Sequence, residues 1–126
     1  MQLIDTNIFI DHFRKYEPAA KFLESLREEE VIFSAITEAE LITGEQCNNK
    51  EIKDNILQFL SKWQKIIVNN QIAVLSGDIM RKNRKNGLEL GDAIIAATAI
   101  INKAELLTKN VKDFEKVEGL KVREPY

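Results

Sequence analysis

Short β-rich runs alternate with segments of helical spacing along most of the chain, and this alternation constrains the fold more than any other feature. Because strand–helix–strand units build parallel sheets with right-handed crossovers, the order predicts an α/β fold, a three-layer α/β/α sandwich with a mainly parallel central sheet. A length of 126 residues fits a single domain over residues 1–126. The predicted strands are residues 3–4, 31–33, 72–75, 105–108 and 120–122.

Helix start signals and apolar residues three or four apart fill the intervals between these runs. Trp63 falls in one such pattern, so it is predicted to belong to the core rather than to a base-stacking surface. The segment that begins near Gly91 is rich in alanine and is predicted to be a central helix. Helices are predicted after Thr6 or Asn7, from Pro18, over residues 37–47 and 51–67, between Ser76 and Gly87, and from Gly91.

Composition excludes several classes of protein. A single cysteine, Cys47, cannot form an internal disulfide, and no Cys-x-x-Cys pair is present to hold zinc, so a reducing cytoplasmic setting is expected. The sequence shows no basic leader followed by an apolar stretch. It also shows no apolar run near the ~18 residues of a membrane span. A net charge of −2 gives no overall basic field for nucleic acid. Neither Cys47 nor His12 is predicted to be catalytic.

Three acidic residues occupy positions that suit a metal site. Asp5 directly follows the first apolar run, at the edge where open α/β sheets place their ligands. Glu40 and Asp92 lie near the starts of predicted helices that could face it. Hard cations such as Mg²⁺ and Mn²⁺ prefer carboxylate oxygens, and paired cations promote phosphodiester cleavage without a histidine base.

Each acid also has a structural alternative. Asp5 suits an Asx-turn between strand and helix. Glu40 fits a capping box with Thr37, and Asp92 suits the positive end of a helix dipole. The joint arrangement favours a metal site, because three clustered carboxylates without a cation would repel one another.

Three motifs resemble those of the PIN-domain ribonucleases and, within them, the VapC-like toxins of toxin–antitoxin pairs. The resemblance covers nearly the whole chain. Its motifs are the segments 3–7 (Leu-Ile-Asp-Thr-Asn), 34–44 (Ser-Ala-Ile-Thr-Glu-Ala-Glu-Leu-Ile-Thr-Gly) and 91–98 (Gly-Asp-Ala-Ile-Ile-Ala-Ala-Thr), followed by 106–114.

The resemblance implies that Asp5, Glu40 and Asp92 are catalytic acids that bind Mg²⁺ or Mn²⁺. It also implies that Thr6, Asn7 and Thr108 orient them by hydrogen bonds. The family's fourth motif has the form Thr-x-Asp, whereas this chain has Thr108-Lys-Asn110. Asn110 or Asp113 is therefore the candidate for a fourth ligand, and the number of metal ions stays open.

The resemblance further implies hydrolysis of RNA phosphodiester bonds by an endoribonuclease, a small VapB-like antitoxin as partner, and a homodimer. Two other functions are weighed against it. In a haloacid-dehalogenase-like phosphatase the second position after the first aspartate is another aspartate, but here it is Asn7. A non-catalytic PIN-like module that binds RNA or protein would keep the fold and the acids without cleaving RNA.

The densest basic cluster precedes the third motif. Arg81, Lys82, Arg84 and Lys85 are candidates for contact with the RNA backbone. The same cations near a helix C-terminus also complement the helix dipole without any ligand.

Overall fold

Five short strands form one sheet in the computed structural model, which describes residues 1–126. They are β1 (Gln2–Ile4), β2 (Val31–Ser34), β3 (Gln64–Ile66), β4 (Glu105–Leu107) and β5 (Val122–Arg123). The order across the sheet is β3-β2-β1-β4-β5, and every pair is parallel. The central strand β1 therefore pairs with both β2 and β4, and its carboxyl end, where Asp5 follows, lies at the middle of one edge of the sheet.

Helices cover both faces of this sheet, and none of them is long and apolar enough to span a membrane. Two 3₁₀ turns, Glu28–Glu30 and Glu45–Asn48, complete the structure. The helices are α1 (Thr6–Phe13), α2 (Glu17–Ser25), α3 (Ala35–Ile42), α4 (Lys50–Leu60), α5 (Asn70–Lys82), α6 (Leu90–Ile101) and α7 (Val111–Phe114).

The core is divided between the two faces because successive strand residues point in opposite directions. Leu3 packs on the face covered by α5 and α6, whereas the next residue, Ile4, packs on the face covered by α1 and α4. Both are fully buried. In α6 the alanines at 93, 96, 97 and 99 are also fully buried, as expected for a central helix. The predicted three-layer sandwich is confirmed.

The prediction is confirmed for residues 51–60, which lie in α4, but it is wrong for residues 61–75. The expected helix over 51–67 ends at Leu60, and residues 64–66 form the edge strand β3 instead. The expected strand over 72–75 lies inside α5, which begins where the Asn69 side chain accepts a hydrogen bond from the Ile72 backbone N–H at 2.9 Å. Both residues at 72 and 79 are buried, at helical spacing, while Val74 is 68% exposed. In a strand, alternate side chains point to the same face, so residues 72 and 74 would be expected to share the same degree of burial.

Smaller differences concern the ends of helices. Asp5, rather than Thr6 or Asn7, caps α1. The predicted helix over 37–47 is split into α3 and a separate 3₁₀ turn. Ser76 does not cap a helix, because its hydroxyl donates to the Ile72 carbonyl at 2.7 Å within α5. Gly87 does not close α5, which ends at Lys82 with Asn83 as its C-cap; it lies in the following turn with a φ of +76°, which favours glycine.

Candidate active site at the carboxyl edge of the sheet

Asp5 is a buried carboxylate in the first position after β1. It is 4% exposed, and both of its oxygens accept hydrogen bonds. The backbone N–H of Thr6 donates to Oδ1 at 2.8 Å, and the Thr108 hydroxyl donates to Oδ2 at 2.7 Å. Burial raises the pKa of Asp5 to about 6, against the opposing effect of these hydrogen bonds, with further repulsion from Asp92 and Glu40.

Glu40 reaches the same edge from α3. Its Oε1 accepts a hydrogen bond from the Thr6 hydroxyl at 3.0 Å, and that hydroxyl lies 2.8 Å from the hydroxyl of Thr37. The capping-box interpretation of Glu40 is wrong, since Ser34 caps α3 by accepting from the Ile36 backbone N–H. Burial, and repulsion from Asp92, raise the pKa of Glu40. The glutamate is thus directed toward the other acids rather than toward its own helix.

Asp92 approaches from the first turn of α6. It accepts a hydrogen bond from the Glu89 backbone N–H at 3.1 Å, so its structural role at a helix start is real. Burial raises its pKa, and repulsion from Glu89 and from Asp113 adds to the effect. A Cβ atom built on the neighbouring Gly91 would lie 3.6 Å from Oε2 of Glu40, which shows how closely α6 and α3 meet here. The structure therefore brings the three predicted acids together.

The three residues predicted to orient the acids lie beside them, and two of the three, Thr6 and Thr108, donate hydrogen bonds to an acid. Asn7 Nδ2 donates to the Thr108 hydroxyl at 3.4 Å, and the Lys109 backbone N–H donates to Asn7 Oδ1 at the same distance. Thr6 and Thr108 are 6% and 0% exposed, so their hydroxyls can be satisfied only inside this network. Thr37, fully buried, belongs to it as well. Its position one helical turn before Glu40 was the available signal, but sequence reasoning assigned it to a helix cap.

The two candidates for the fourth position differ. Asn110 is exposed, and its backbone N–H donates to the Thr108 hydroxyl at 3.0 Å. Asp113, half-buried in α7, lies close enough to Asp92 to raise the pKa of that residue by charge repulsion. Ligation by either residue stays a prediction.

The chemistry of this donor set suits an oxygen-preferring divalent cation. In the present side-chain conformations no group of three His, Cys, Asp or Glu side chains forms a ready-made metal cage. Each carboxylate has about four lone-pair positions, however, so the observed hydrogen bonds leave acceptor capacity on all three acids. Their mutual repulsion, which contributes to the raised pKa values, is what a cation would relieve.

A groove opens beside Glu40 between α1, α3 and α4. Its volume is about 680 Å³. Its walls include Ile10 and Phe13 of α1, Leu41 of α3 and Ile56 of α4, with the cationic Arg14 at its margin. The groove is therefore mainly apolar along its length and acidic where it meets the site.

The basic cluster is a surface feature. All four residues are exposed; Arg81 and Lys82 form the last turn of α5, and Arg84 and Lys85 follow it. Arg81 is engaged by Asp78 at 2.8 Å. Contact of these cations with RNA stays a prediction.

His12 and Cys47 lie outside the acidic site. The His12 ring stacks on Phe59 with centroids 4.3 Å apart, and burial together with Lys62 lowers the pKa of its imidazole. Cys47 is partly buried, with its Sγ 3.7 Å from the Leu41 carbonyl oxygen. Trp63 is 7% exposed and packs in the core, as predicted.

Comparison with known proteins decides the family. A family model described as PIN domain matches residues 3–120. The chain belongs to the PIN domain family. This membership decides against the phosphatase alternative, which requires a different family.

Curated relatives of this PIN domain are named as ribonucleases. Ribonuclease VapC19 of Mycobacterium tuberculosis is 36% identical over 118 residues, which cover 90% of this chain and 92% of the relative. Ribonuclease VapC1 of Methanocaldococcus jannaschii is 36% identical over 124 residues, 95% of this chain and 85% of the relative.

Solved structures with the same PIN architecture cover the chain from end to end. A chain of a toxin–antitoxin complex from Klebsiella pneumoniae superposes with a TM-score of 0.83 at 32% identity, covering 100% of this chain and 98% of that one. A chain of VapBC2 from Rickettsia felis, bound to a promoter DNA fragment, gives 0.81 at 26% identity, with coverage of 97% and 96%.

Proposed function

We propose that this PIN domain is a metal-dependent endoribonuclease that acts as the toxin of a VapBC-type pair. The observation that carries the proposal is the interlocked acidic edge. Asp5 is buried and held by Thr6 and Thr108, while Glu40 and Asp92 lie near enough that the charge of Asp92 raises the pKa of both other acids. The relatives named as VapC ribonucleases support the reaction class.

Asp5, Glu40 and Asp92 are the proposed ligands of Mg²⁺ or Mn²⁺, with Asp113 favoured over Asn110 as a fourth because it lies near Asp92. When bound, such a cation supplies positive charge to the attacked phosphate and to the leaving oxygen. The chain's own part is orientation. Thr108 donates to Oδ2 of Asp5, and Thr6 donates to the carboxylate of Glu40, so these hydroxyls restrict the orientations of both acids.

The proposed partner is a small VapB-like antitoxin that blocks the acids. The groove beside Glu40 supports this, because an apolar segment of a partner could lie along α1, α3 and α4 and deliver a basic side chain to the acidic end. The related solved structures are themselves toxin–antitoxin complexes. A homodimer is proposed by analogy with the family, and its test is the mass in solution by size exclusion with light scattering.

Cleavage of RNA by purified protein tests the enzyme directly. Replacing Asp5 or Asp92 with Asn should lower the rate in Mg²⁺ or Mn²⁺ more than about 100-fold, because loss of a residue that merely orients a ligand already costs 10–100-fold. Asp54→Asn on the exposed side of α4 is the matched control and should leave the rate unchanged. Circular dichroism verifies that each variant is folded.

The same assay discriminates the non-catalytic alternative. A folded wild-type protein that binds RNA but leaves it intact in both cations would support the binding module instead. Full activity in either Asn variant, or undiminished activity in EDTA, would remove the proposed mechanism.

A further inference from the structure

The side chain of Lys109 is fully engaged, although it directly follows Thr108 at the active site. Its ammonium group lies 2.8 Å from Oε1 of Glu124 and donates to the main-chain oxygen of Tyr126. It also lies 4.4 Å from the centre of the Tyr126 ring, in cation–π geometry. With only 26% of the side chain exposed, this lysine is directed toward residues 124–126 and away from solvent.

Tyr126 is anchored in turn to the first two helices. Its hydroxyl donates to Oδ2 of Asp11 on α1 at 2.8 Å, and its ring centroid lies 6.0 Å from that of Tyr16 and 6.1 Å from that of Phe22. Burial and the Asp11 carboxylate raise the pKa of the Tyr126 phenol, so it remains a hydrogen-bond donor. Residues 124–126 therefore connect the loop after β4 to α1.

The connection returns to the catalytic edge along α1. Asn7 and Asp11 lie four residues apart and so occupy one face of this helix. Asn7 accepts from the Lys109 backbone N–H, while Asp11 accepts from Tyr126, which holds the Lys109 side chain. The loop 108–110 is thus fixed to one helix face both through its backbone and through a side-chain brace. This loop contains Thr108, whose hydroxyl donates to Asp5.

We infer that Lys109 is a positioning residue which, braced by Tyr126 and Asp11, holds the Thr108 hydroxyl against Asp5, and that it is not a cation for RNA phosphate. The inference rests on the proposed ribonuclease function. A lysine beside a nuclease site could have either of two roles. A positioning residue affects the geometry of the acids, whereas a phosphate contact affects substrate binding.

Kinetics of Lys109→Met distinguish these roles. A brace predicts a kcat lower by about tenfold, the lower end of the range for residues behind a metal ligand, with the salt dependence of KM unchanged. Lys109→Arg should keep a kcat much closer to that of the wild type, since a guanidinium can pair with Glu124 and stack on Tyr126. Lys21→Met, which removes a fully solvated lysine paired with Glu17 at 3.1 Å, is the matched control.

Tyr126→Phe keeps the inference testable if Lys109→Met does not fold, because it removes only the hydroxyl that reaches Asp11. It should lower kcat in the same direction, and its effect should combine less than additively with that of Lys109→Met, as expected for members of one network. A kcat that stays at the wild-type value in both folded variants would overturn the brace. A raised KM with a salt slope reduced by about 0.7 would assign Lys109 to phosphate instead.

Hydrogen exchange provides a readout that needs neither metal nor activity. The Asn110 amide, which donates to Thr108, should exchange about tenfold faster in Tyr126→Phe than in wild type. If the wild-type protein cleaved no RNA, the proposed function would fail, but this exchange measurement would still decide whether the brace holds the loop. Unchanged exchange at Asn110 would contradict it.

Discussion

The acidic edge and the basic cluster are both rich in charge, but they differ in how far their central side chains are exposed to solvent. Asp5 is 4% exposed and accepts two hydrogen bonds from neighbours that are themselves buried. Arg81, by contrast, has a side chain that is 61% exposed and pairs with Asp78 of its own helix. Asp5 belongs to the interior and its geometry is fixed with the core, whereas the cations of the basic cluster are exposed at the surface.

The pH dependence of stability tests the buried half of this comparison. Between the ordinary carboxyl pKa of 3.8 and the value of about 6 in the folded protein, the folded state keeps a proton on Asp5 that the unfolded chain has released. Raising the pH through this window should therefore lower the free energy of unfolding of the metal-free protein by about 3 kcal/mol. Above about pH 6 this contribution should be constant.

Urea unfolding in EDTA at several pH values measures this effect. Asp5→Asn should lose the part of the dependence that Asp5 contributes, while the raised pKa values of Glu40 and Asp92 keep their parts, so the variant gains on the wild type by up to about 3 kcal/mol as the pH rises. Asp54→Asn, on the surface of α4, should follow the wild-type profile. A difference between wild type and Asp5→Asn that did not change with pH would mean that Asp5 ionises as freely as a surface acid.

Neutralising the basic cluster tests the exposed half and should have the smallest effect. Replacing Arg81, Lys82, Arg84 and Lys85 with Gln should raise KM for RNA a few-fold and reduce its salt slope by about 0.7 for each RNA phosphate that the variant no longer neutralises. The pairing of Arg81 with Asp78 predicts that this residue contributes least. Unchanged KM and slope, with a loss of stability of about 0.3–1 kcal/mol, would assign the cluster to the helix dipole alone.

The central part of the fold could be predicted from the sequence because its strands are buried on both faces. β1 and β4 appear as apolar runs, and the abrupt change from Ile4 to Asp5 marks the edge of the sheet. The edge strand β3 carries no such signal, since two of its three residues, Gln64 and Lys65, are exposed.

The error at residues 72–75 has a different origin. A short apolar run fits either a strand or one turn of a helix, and periodicity over four residues cannot separate them. The Asn69 cap, together with burial at Ile72 and Ile79, decides for the helix.

At the candidate site the sequence motifs indicated the three acids and the neighbouring Thr6, Asn7 and Thr108, but not the contacts of Thr37 and Lys109. A capping box with Thr37 also accounted for Glu40, and it is excluded because Ser34 caps α3 while Thr6 contacts both Thr37 and Glu40. Lys109 and Tyr126 are 17 residues apart, and no local pattern relates them. Such networks depend on tertiary contacts, which motif spacing does not encode.

A calorimetric titration with Mn²⁺ tests most directly whether the acidic edge is a metal site. At a pH above the raised pKa of Asp5, the folded wild-type protein should bind Mn²⁺, and Asp5→Asn should weaken that affinity by more than about 100-fold while Asp54→Asn leaves it unchanged. Equal affinity in wild type and Asp5→Asn, or the absence of binding to the folded wild type, would contradict the account.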